Sequence, residues 1–346
     1  MQKTQEERWS FSWEREVEFA DLDTNAHVNS VILLRWMQEA RTSYMRRKLL
    51  PELAARGEKL APTVVAESTV EYLAPIFHSE RVVVHLGIAA VGNSYFTLRY
   101  EIVKRPPADV AAAGKGEATP CGRGTARLVC IDPQTQKKAN LTPALRRLLE
   151  AGAEQCAAGS TPPATSASAT AAAAAEPATA KPATPSDEFE EWPLCWVHEV
   201  EYRDLDVNVH ANNCAVYYWM QEARVRWLDE VRSELSKIAP EEEFDAVMAA
   251  GTIQYMIPML MGEEARVYIR LKQLGNSSMS IEHKIVRTAK DGKSAAVCYR
   301  GTGTLVSFDH EKQTKALITP ALRQAIERVE RRTQVFPKRP NAVCKL

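Results

Sequence analysis

Residues 16–45 and 199–228 are two versions of one string. Glu16 to Met45 reads EVEFADLDTNAHVNSVILLRWMQEARTSYM and Glu199 to Leu228 reads EVEYRDLDVNVHANNCAVYYWMQEARVRWL, with half of the thirty positions identical. The offset is 183 residues, and it recurs at Gly92-Asn93-Ser94 against Gly275-Asn276-Ser277. Farther on, Arg123-Gly124-Thr125 returns as Arg300-Gly301-Thr302 and Leu141-Thr142-Pro143 as Ile318-Thr319-Pro320, now at an offset of 177. About six extra residues therefore sit in the first copy, around Pro106 to Gly116. A whole domain of roughly 140 residues has been duplicated; a solenoid would need shorter units and more of them.

Between the copies, residues 153–189 are rich in Ala, Thr, Pro and Ser and cannot bury enough apolar surface to fold. The expected organisation is a first domain over 1–152, a disordered linker over 153–189, a second domain over 190–330 and a flexible tail over 331–346. A linker of that length reaches about 30 Å, enough for the two domains to pack side by side.

Forty-four basic residues balance forty-four acidic ones, so net charge gives no reason to expect nucleic acid or an anionic membrane surface as partner. No apolar run is long enough for a membrane span. Residues 1–8 are polar and include Glu6 and Glu7, which speaks against a secretory leader or a mitochondrial presequence. The seven cysteines contain no Cys-x-x-Cys pair, so neither a zinc site nor a disulfide framework is expected, and a reducing compartment fits.

Each copy reads as strand, long helix, then four strands. First strands are expected at Trp9 to Phe19 and Trp192 to Tyr202. Helices follow over Ser30 to Leu49 and Asn213 to Leu235, where Leu33, Trp36 or Met37, Ala40 and Tyr44 recur at helical steps. Asn29 and Asn212 sit where an N-cap accepts an orphan backbone N–H. Strands are expected at Thr63 to Leu73, Arg81 to Val91, Tyr95 to Lys104 and Arg123 to Ile131. Thr142-Pro143 then opens a helix, with proline at its first position. The fold class is α+β, an antiparallel sheet covering a long helix.

The chemistry concentrates in Asp23-Thr24-Asn25-Ala26-His27 and Asp206-Val207-Asn208-Val209-His210. Each is a polar loop running into a helix N-terminus, which carries unpaired N–H groups and a partial positive charge. Backbone N–H groups near Val28 and Asn29, and near Ala211 and Asn212, could hold an oxyanion. Asp23 and Asp206 could act as general base or nucleophile, Asn25 and Asn208 could orient water or substrate, and His27 and His210 could assist proton transfer. The same residue types also serve plain turn and cap chemistry.

At this point a resemblance enters. Phe19-Ala-Asp-Leu-Asp-Thr-Asn-Ala-His-Val-Asn-Ser and Tyr202-Arg-Asp-Leu-Asp-Val-Asn-Val-His-Ala-Asn-Asn resemble the signature of hotdog-fold acyl thioesterases, of the 4-hydroxybenzoyl-CoA and plant acyl-ACP types. The similarity runs on through Trp36-Met-Gln-Glu-Ala-Arg and Glu71-Tyr-Leu-Ala-Pro to the Gly-Asn-Ser turn, so it covers most of both copies. It implies tandem hotdog domains, each a helix wrapped by an antiparallel sheet, forming an intrachain pseudo-dimer. It implies the catalytic carboxylate at Asp23 and Asp206, and site roles for Asn25, His27, Asn208 and His210. One departure stands out: the plant-type enzymes have a Glu followed by Cys where this chain has Pro75-Ile76 and Pro258-Met259.

Further candidates surround the motif. Glu39 and Glu222 lie twelve residues beyond the histidine and could face the site, though a solvated ion pair is the ordinary role of such a glutamate. Ser94 and Ser277 could touch substrate, although a tight Gly-Asn hairpin explains them. Asp21 and Asp204 fit turn or strand-end roles better than catalysis. His78, His85, His283 and His310 lack counterparts and read as incidental. The terminal Cys344-Lys345-Leu346 resembles a peroxisomal address, implying an import receptor and a peroxisome-type location, otherwise the cytoplasm.

The expected activity is hydrolysis of an acyl-CoA, or an acyl-ACP, to free acid and thiol, without metal or cofactor. The pseudo-dimer leaves room for a further homo-oligomer. Two alternatives differ in kind. A hotdog enoyl-CoA hydratase carries four residues between its Asp and His, where this chain has three, Thr24-Asn25-Ala26. A non-catalytic acyl-CoA-binding protein would bind without turnover.

Overall fold

A computed structural model describes residues 9–105, 118–135, 137–157, 192–288 and 295–336. The chain divides between residues 178 and 179 into two units. In the first, β1 (Phe11–Glu16) leads through a 3-10 turn (Phe19–Asp21) and the Asp23 loop into α1 (Ser30–Tyr44). A π turn (Met45–Leu49) and α2 (Leu50–Ala54) extend the helical run. Then come β2 (Thr63–Tyr72), β3 (Arg81–Val91), β4 (Tyr95–Arg105), β5 (Thr119–Cys130) and α3 (Pro143–Ala157). The strands pair antiparallel in the order β1-β3-β4-β5-β2.

The second unit repeats this plan with β6 (Leu194–Glu199), a 3-10 turn (Tyr202–Asp204), α4 (Asn213–Ile238), β7 (Ala246–Tyr255), β8 (Glu264–Leu274), β9 (Ser278–Thr288) and β10 (Ala295–Asp309). Its order, β6-β8-β9-β10-β7, corresponds strand for strand. It adds a short β11 (Thr314–Lys315) paired with β10, helix α5 (Pro320–Glu330), and β12 (Gln334–Phe336) parallel to β6. Each unit thus has the hotdog arrangement, α+β, with a long helix against an antiparallel sheet.

The helices arise where the apolar period demands. Val31, Leu33, Leu34, Met37, Ala40 and Tyr44 are buried along α1, and Val216, Met220, Ala223, Trp227 and Val231 along α4. Asn29 Oδ1 accepts the Val31 N–H at 3.0 Å and Asn212 Oδ1 the Cys214 N–H at 2.8 Å, so both expected caps form. The first strands end sooner than their composition suggests, at Glu16 and Glu199. The chain leaves the ladder because the N–H of Glu18 and of Glu201 goes to the carboxylates of Asp21 and Asp204, which opens the 3-10 turn. In the first unit the helical run outlasts Leu49, reaching Ala54; its π turn falls just ahead of Pro51, which has no N–H to return to the preceding turn.

Two boundaries move. Helix α3 continues to Ala157, past the expected start of the linker at 153, because Thr142 caps it and its face packs on β3, with Gly152 close to Ile88. The tail expected to be flexible from 331 instead puts Gln334–Phe336 beside Leu194–Trp196, anchored by the Gln334 N–H to Pro193 O at 2.8 Å. The rest of the linker, residues 158–189, the Pro106 to Gly116 insertion and Cys344-Lys345-Leu346 lie outside the described residues.

The recurrent Arg-Gly-Thr now has a physical reason. A Cβ on Gly124 would stand 2.7 Å from Met37 Sδ and 2.4 Å from Thr69 O; on Gly301 it would stand 2.8 Å from Met220 Sδ. At this position the helix side chain and the sheet meet with no room for a Cβ. Gly124→Ala must push backbone as well as side chain, and we expect a loss of about 1–3 kcal/mol, read as a lower midpoint in a urea titration. A midpoint equal to wild type would show that the helix is not tightly seated there.

Candidate active site

Both loops close in the same way. The bridges Leu22–Val28 and Leu205–Ala211 form their necks. Asp23 N–H donates to His27 O at 2.8 Å and Ala26 N–H to Asp23 O at 3.1 Å; Asp206 N–H donates to His210 O at 2.9 Å and Val209 N–H to Asp206 O at 3.0 Å. The carboxylates turn inward to hold the loop. Asp23 Oδ1 accepts from the N–H of Asn25 at 2.9 Å and of His27 at 3.3 Å. Asp206 Oδ1 accepts from Asn208 N–H at 2.8 Å, and its Oδ2 lies 3.4 Å from Asn208 Nδ2. The residue between Asn and His is left-handed in each, Ala26 at φ 59° and Val209 at φ 61°.

The structure therefore gathers Asp23, Asn25 and His27 into one turn, and Asp206, Asn208 and His210 into another. In each the Asp and His are half-buried and the Asn is exposed. The His27 ring meets Phe77 edge-on, with centroids 5.0 Å apart. Phe19, Leu73 and Phe77 are exposed large apolar residues of the first unit; Tyr202, Val207, Val209, Met256, Leu260 and Met261 are their equivalents or neighbours in the second.

The backbone donors expected for an oxyanion are spent elsewhere. Val28 N–H goes to Ile76 O at 2.8 Å and Asn29 N–H to Asp21 O at 2.8 Å; Ala211 N–H goes to Met259 O at 2.8 Å and Asn212 N–H to Asp204 O at 2.7 Å. These bonds pin the neck to the β2–β3 and β7–β8 connections and to the 3-10 turn. Val28, Asn29, Ala211 and Asn212 build the site's frame, and their N–H groups do not point at a substrate. The helix N-terminus still contributes its partial positive charge.

A deeper layer holds that frame. Asp21 is 2% exposed, with Oδ2 receiving Arg15 Nη2 at 2.7 Å and Glu18 N–H at 3.0 Å. Asp204 is 8% exposed and receives His198 Nε2 at 2.8 Å and Glu201 N–H at 2.9 Å. Burial alone would raise the Asp204 carboxyl, but the His198 and Glu201 hydrogen bonds outweigh it and hold it below the usual range. The turn role expected of these two aspartates is the one they fill. Tyr72 Oη donates to Ser30 O at 2.7 Å and Tyr255 Oη to Asn213 O at 3.2 Å, tying each first helical turn to its sheet. Arg15, His198, Tyr72 and Tyr255 were not singled out by the motif. The two tyrosines were visible only as a repeated position before Leu-Ala-Pro and Met-Ile-Pro.

Other candidates fall away from the loops within their own units. Glu222 pairs with Arg226 at 2.7 Å on the exposed face of α4, one turn along. Glu39 stands ten positions into α1, about 14 Å along the axis from its start. Ser94 and Ser277 lie in the β3–β4 and β8–β9 hairpins, where Arg146 and Arg323 bind Gly92 O and Gly275 O. The 11 residues of β3 separate that hairpin from the Asp23 loop by about 35 Å. His85 bonds Ser12 at 2.8 Å, His310 bonds Asp245 at 2.8 Å, and burial together with the Arg224 charge pushes His283 down to about 3. The thiols of Cys121 and Cys195 are pushed up to about 11 by burial, which removes them as nucleophiles near neutral pH. Among the described residues no group of three or more His, Cys, Asp or Glu could hold a metal ion.

Comparison with known proteins follows the same two-part division. A model of the thioesterase-like superfamily matches residues 17–149 and again 200–326. The uncharacterized protein YsmA of Bacillus subtilis is 28% identical over 127 residues, 36% of this chain and 80% of its own. Among solved structures, an acyl-ACP thioesterase of Bacteroides thetaiotaomicron superposes with a TM-score of 0.55 at 13% identity, covering 88% of this chain and 100% of that one. The 12:0-ACP thioesterase of Umbellularia californica gives 0.54 at 14% identity, covering 86% and 94%. At such identities the structural likeness speaks for the fold alone.

Proposed function

The chain belongs to the thioesterase-like superfamily through both of its halves and is by that membership a thioester hydrolase; we propose that it cleaves a fatty or aromatic acyl-CoA to the free acid and CoA. The observation that carries this reading is the Asp-x-Asn-x-His turn, held by the same backbone bonds in both units at the start of a capped helix. Asp23 and Asp206 act as general bases. A water oxygen adds to the thioester carbonyl carbon as its proton passes to the carboxylate. The tetrahedral intermediate then expels the thiolate, the C–S bond breaks, and the proton returns to sulfur. Because the neck N–H groups are engaged, the developing oxyanion is met by side-chain N–H of Asn25 or His27, and of Asn208 or His210, in the field of the helix N-terminus. The apolar side chains exposed near each loop suit an acyl group.

Thiol release from a panel of acyl-CoAs, followed by the corresponding acyl-ACPs, tests the proposal. Release of free thiol is expected from at least one ester. Consumption of an enoyl-CoA without thiol release would replace this reading with a hydratase, and tight binding without turnover would replace it with a binding protein.

A further inference from the structure

From Val31 to Ala40 every buried side chain of α1 is apolar; the next buried one, Arg41, is a cation, 6% exposed. The sheet meets it with a second polar group. Tyr100, on β4 and 2% exposed, stands beside Arg41, and its Oη has no hydrogen-bond partner. Tyr100 pairs with Gly124 on β5, the glycine under Met37, so it lies in the part of the sheet that α1 covers. Among the described residues Arg41 has no carboxylate partner. Taking a guanidinium out of water is costly unless an anion or a full set of acceptors meets its N–H groups, and a neutral hydroxyl supplies one acceptor. Together Arg41 and Tyr100 present guanidinium N–H groups and a hydroxyl donor, the set that fits a carboxylate.

The second unit keeps the cation and changes its neighbour. Arg224, 8% exposed, is the equivalent of Arg41, and His283, 4% exposed, is that of Tyr100. His283 bonds the Met220 carbonyl through one ring nitrogen, and its Nε2 has no partner. A neutral ring that donates through one nitrogen offers a lone pair at the other. An acceptor therefore stands in the second unit where the first has a hydroxyl donor, so a carboxylate fits the first and is opposed in the second.

The helix connects this pair to the reacting end. Arg41 is eleven residues beyond Ser30, where α1 opens behind the Asp23 loop, about 16 Å along the axis. Helical side chains lean toward the N-terminus, which brings a long one nearer the loop than its Cα. Between loop and cation the buried face is apolar, and Met37, the residue over Gly124, is unbranched and can turn aside. A polar reacting end, an apolar middle and a cation at the far end describe a thioester whose acyl chain ends in an acid group. We propose that Arg41 and Tyr100 are specificity-determining residues of the first unit: they receive a carboxylate at the far end of the acyl group, so the preferred substrate is the mono-CoA thioester of a medium-chain dicarboxylic acid. The inference rests on the thioesterase reading of the Asp23 loop and names its substrate class. A chain ending in a methyl group leaves the guanidinium and the hydroxyl without that partner, a difference of about a hundredfold in kcat/KM.

The test compares mono-CoA thioesters of straight-chain diacids of roughly six to fourteen carbons, a range set by that axial distance, with the CoA esters of the monoacids of the same lengths. Release of CoA is followed for each. The ratio of kcat/KM, diacid over monoacid, is expected to reach about a hundredfold at one length and to fall on either side of it. Arg41→Met, similar in length and apolar, should bring the peak ratio to about one, and Tyr100→Phe should lower it about tenfold. Ratios near one at every length in the wild-type protein, or a peak that survives Arg41→Met, would overturn the proposal. Replacing a buried charge by an apolar side chain relieves its desolvation, so Arg41→Met should not lower the urea midpoint. If that variant nevertheless fails to fold, Tyr100→Phe, which removes one oxygen and little packing, decides: an unchanged ratio sinks the assignment. Calorimetry with the free diacids gives a readout without turnover, with binding expected in the wild-type protein and lost in Arg41→Met. Should no ester be hydrolysed, the hydrolase reading fails, while the calorimetry still reports on the carboxylate site: heat that disappears in Arg41→Met keeps it, and no heat in the wild-type protein removes it.

Discussion

Thiol release is expected to fall about a thousandfold when Asp23→Asn and Asp206→Asn are combined, with little change in thermal stability. The magnitude is that of removing a positioned general base, about 10²- to 10⁴-fold. The stability expectation comes from the loop itself. Asp23 Oδ1 is an acceptor for two backbone N–H groups and Asp206 Oδ1 for one. An asparagine retains that oxygen, so the turn survives while the proton acceptor is lost. The measurement is steady-state release of CoA, together with a melting curve for each variant. Two equivalent sites predict that each single variant keeps about half the wild-type rate, and one dominant site predicts a single variant as inert as the double. A double variant within tenfold of wild type would remove the carboxylates from the mechanism.

Trp227→Ala is expected to cost about 3–5 kcal/mol, the largest single loss among the core positions discussed. Trp227 is fully buried on α4, and its Nε1–H donates to Glu330 Oε1 at 2.8 Å, while Glu330 Oε2 accepts the Leu271 N–H at 3.0 Å. Burial pushes the Glu330 carboxyl upward against those two bonds. Truncation therefore leaves a cavity between α4 and α5 and takes from a desolvated carboxylate one of its donors. Trp227→Phe separates the effects, since it fills most of the space without the N–H, and should lose about 1–3 kcal/mol. Urea titration monitored by circular dichroism reads both. A loss below about 1 kcal/mol for the alanine variant would mean that α5 is not held through this contact.

The duplication made most of the scaffold legible. Strands β3 and β4 begin where the turn residues put them, at Arg81 and Tyr95, and both asparagine caps and the Thr142 cap form as side-chain chemistry requires. Where the reading failed, it failed on the destinations of main-chain groups. A motif tells which residues precede a helix, but the engagement of Val28 and Ala211 with Ile76 and Met259 depends on a loop more than forty positions away. Ser94 and Ser277 were candidates for substrate contact only because both recur; strand length puts them at the other end of the sheet from the loops. His198 was overlooked for the opposite reason. Matching the copies by identity brings forward what they share, and Arg15 against His198 counts there as a mismatch. Only the distance to the shared aspartate shows that one role is filled by two chemistries.

The left-handed residue in each loop bears on how the duplicates have been kept. Holding a side chain there costs about 1–3 kcal/mol unless the surroundings enforce it, and a β-branched side chain suits it least. The second unit has Val209 at that position, at φ 61°, where the first has Ala26 at 59°. A duplicate freed from any task could have relaxed this backbone by drift, through a glycine or a shifted turn. Instead the less accommodating residue sits in the same conformation, closed by the same carboxylate. The strained geometry is thus enforced by the framework around it, separately in each half.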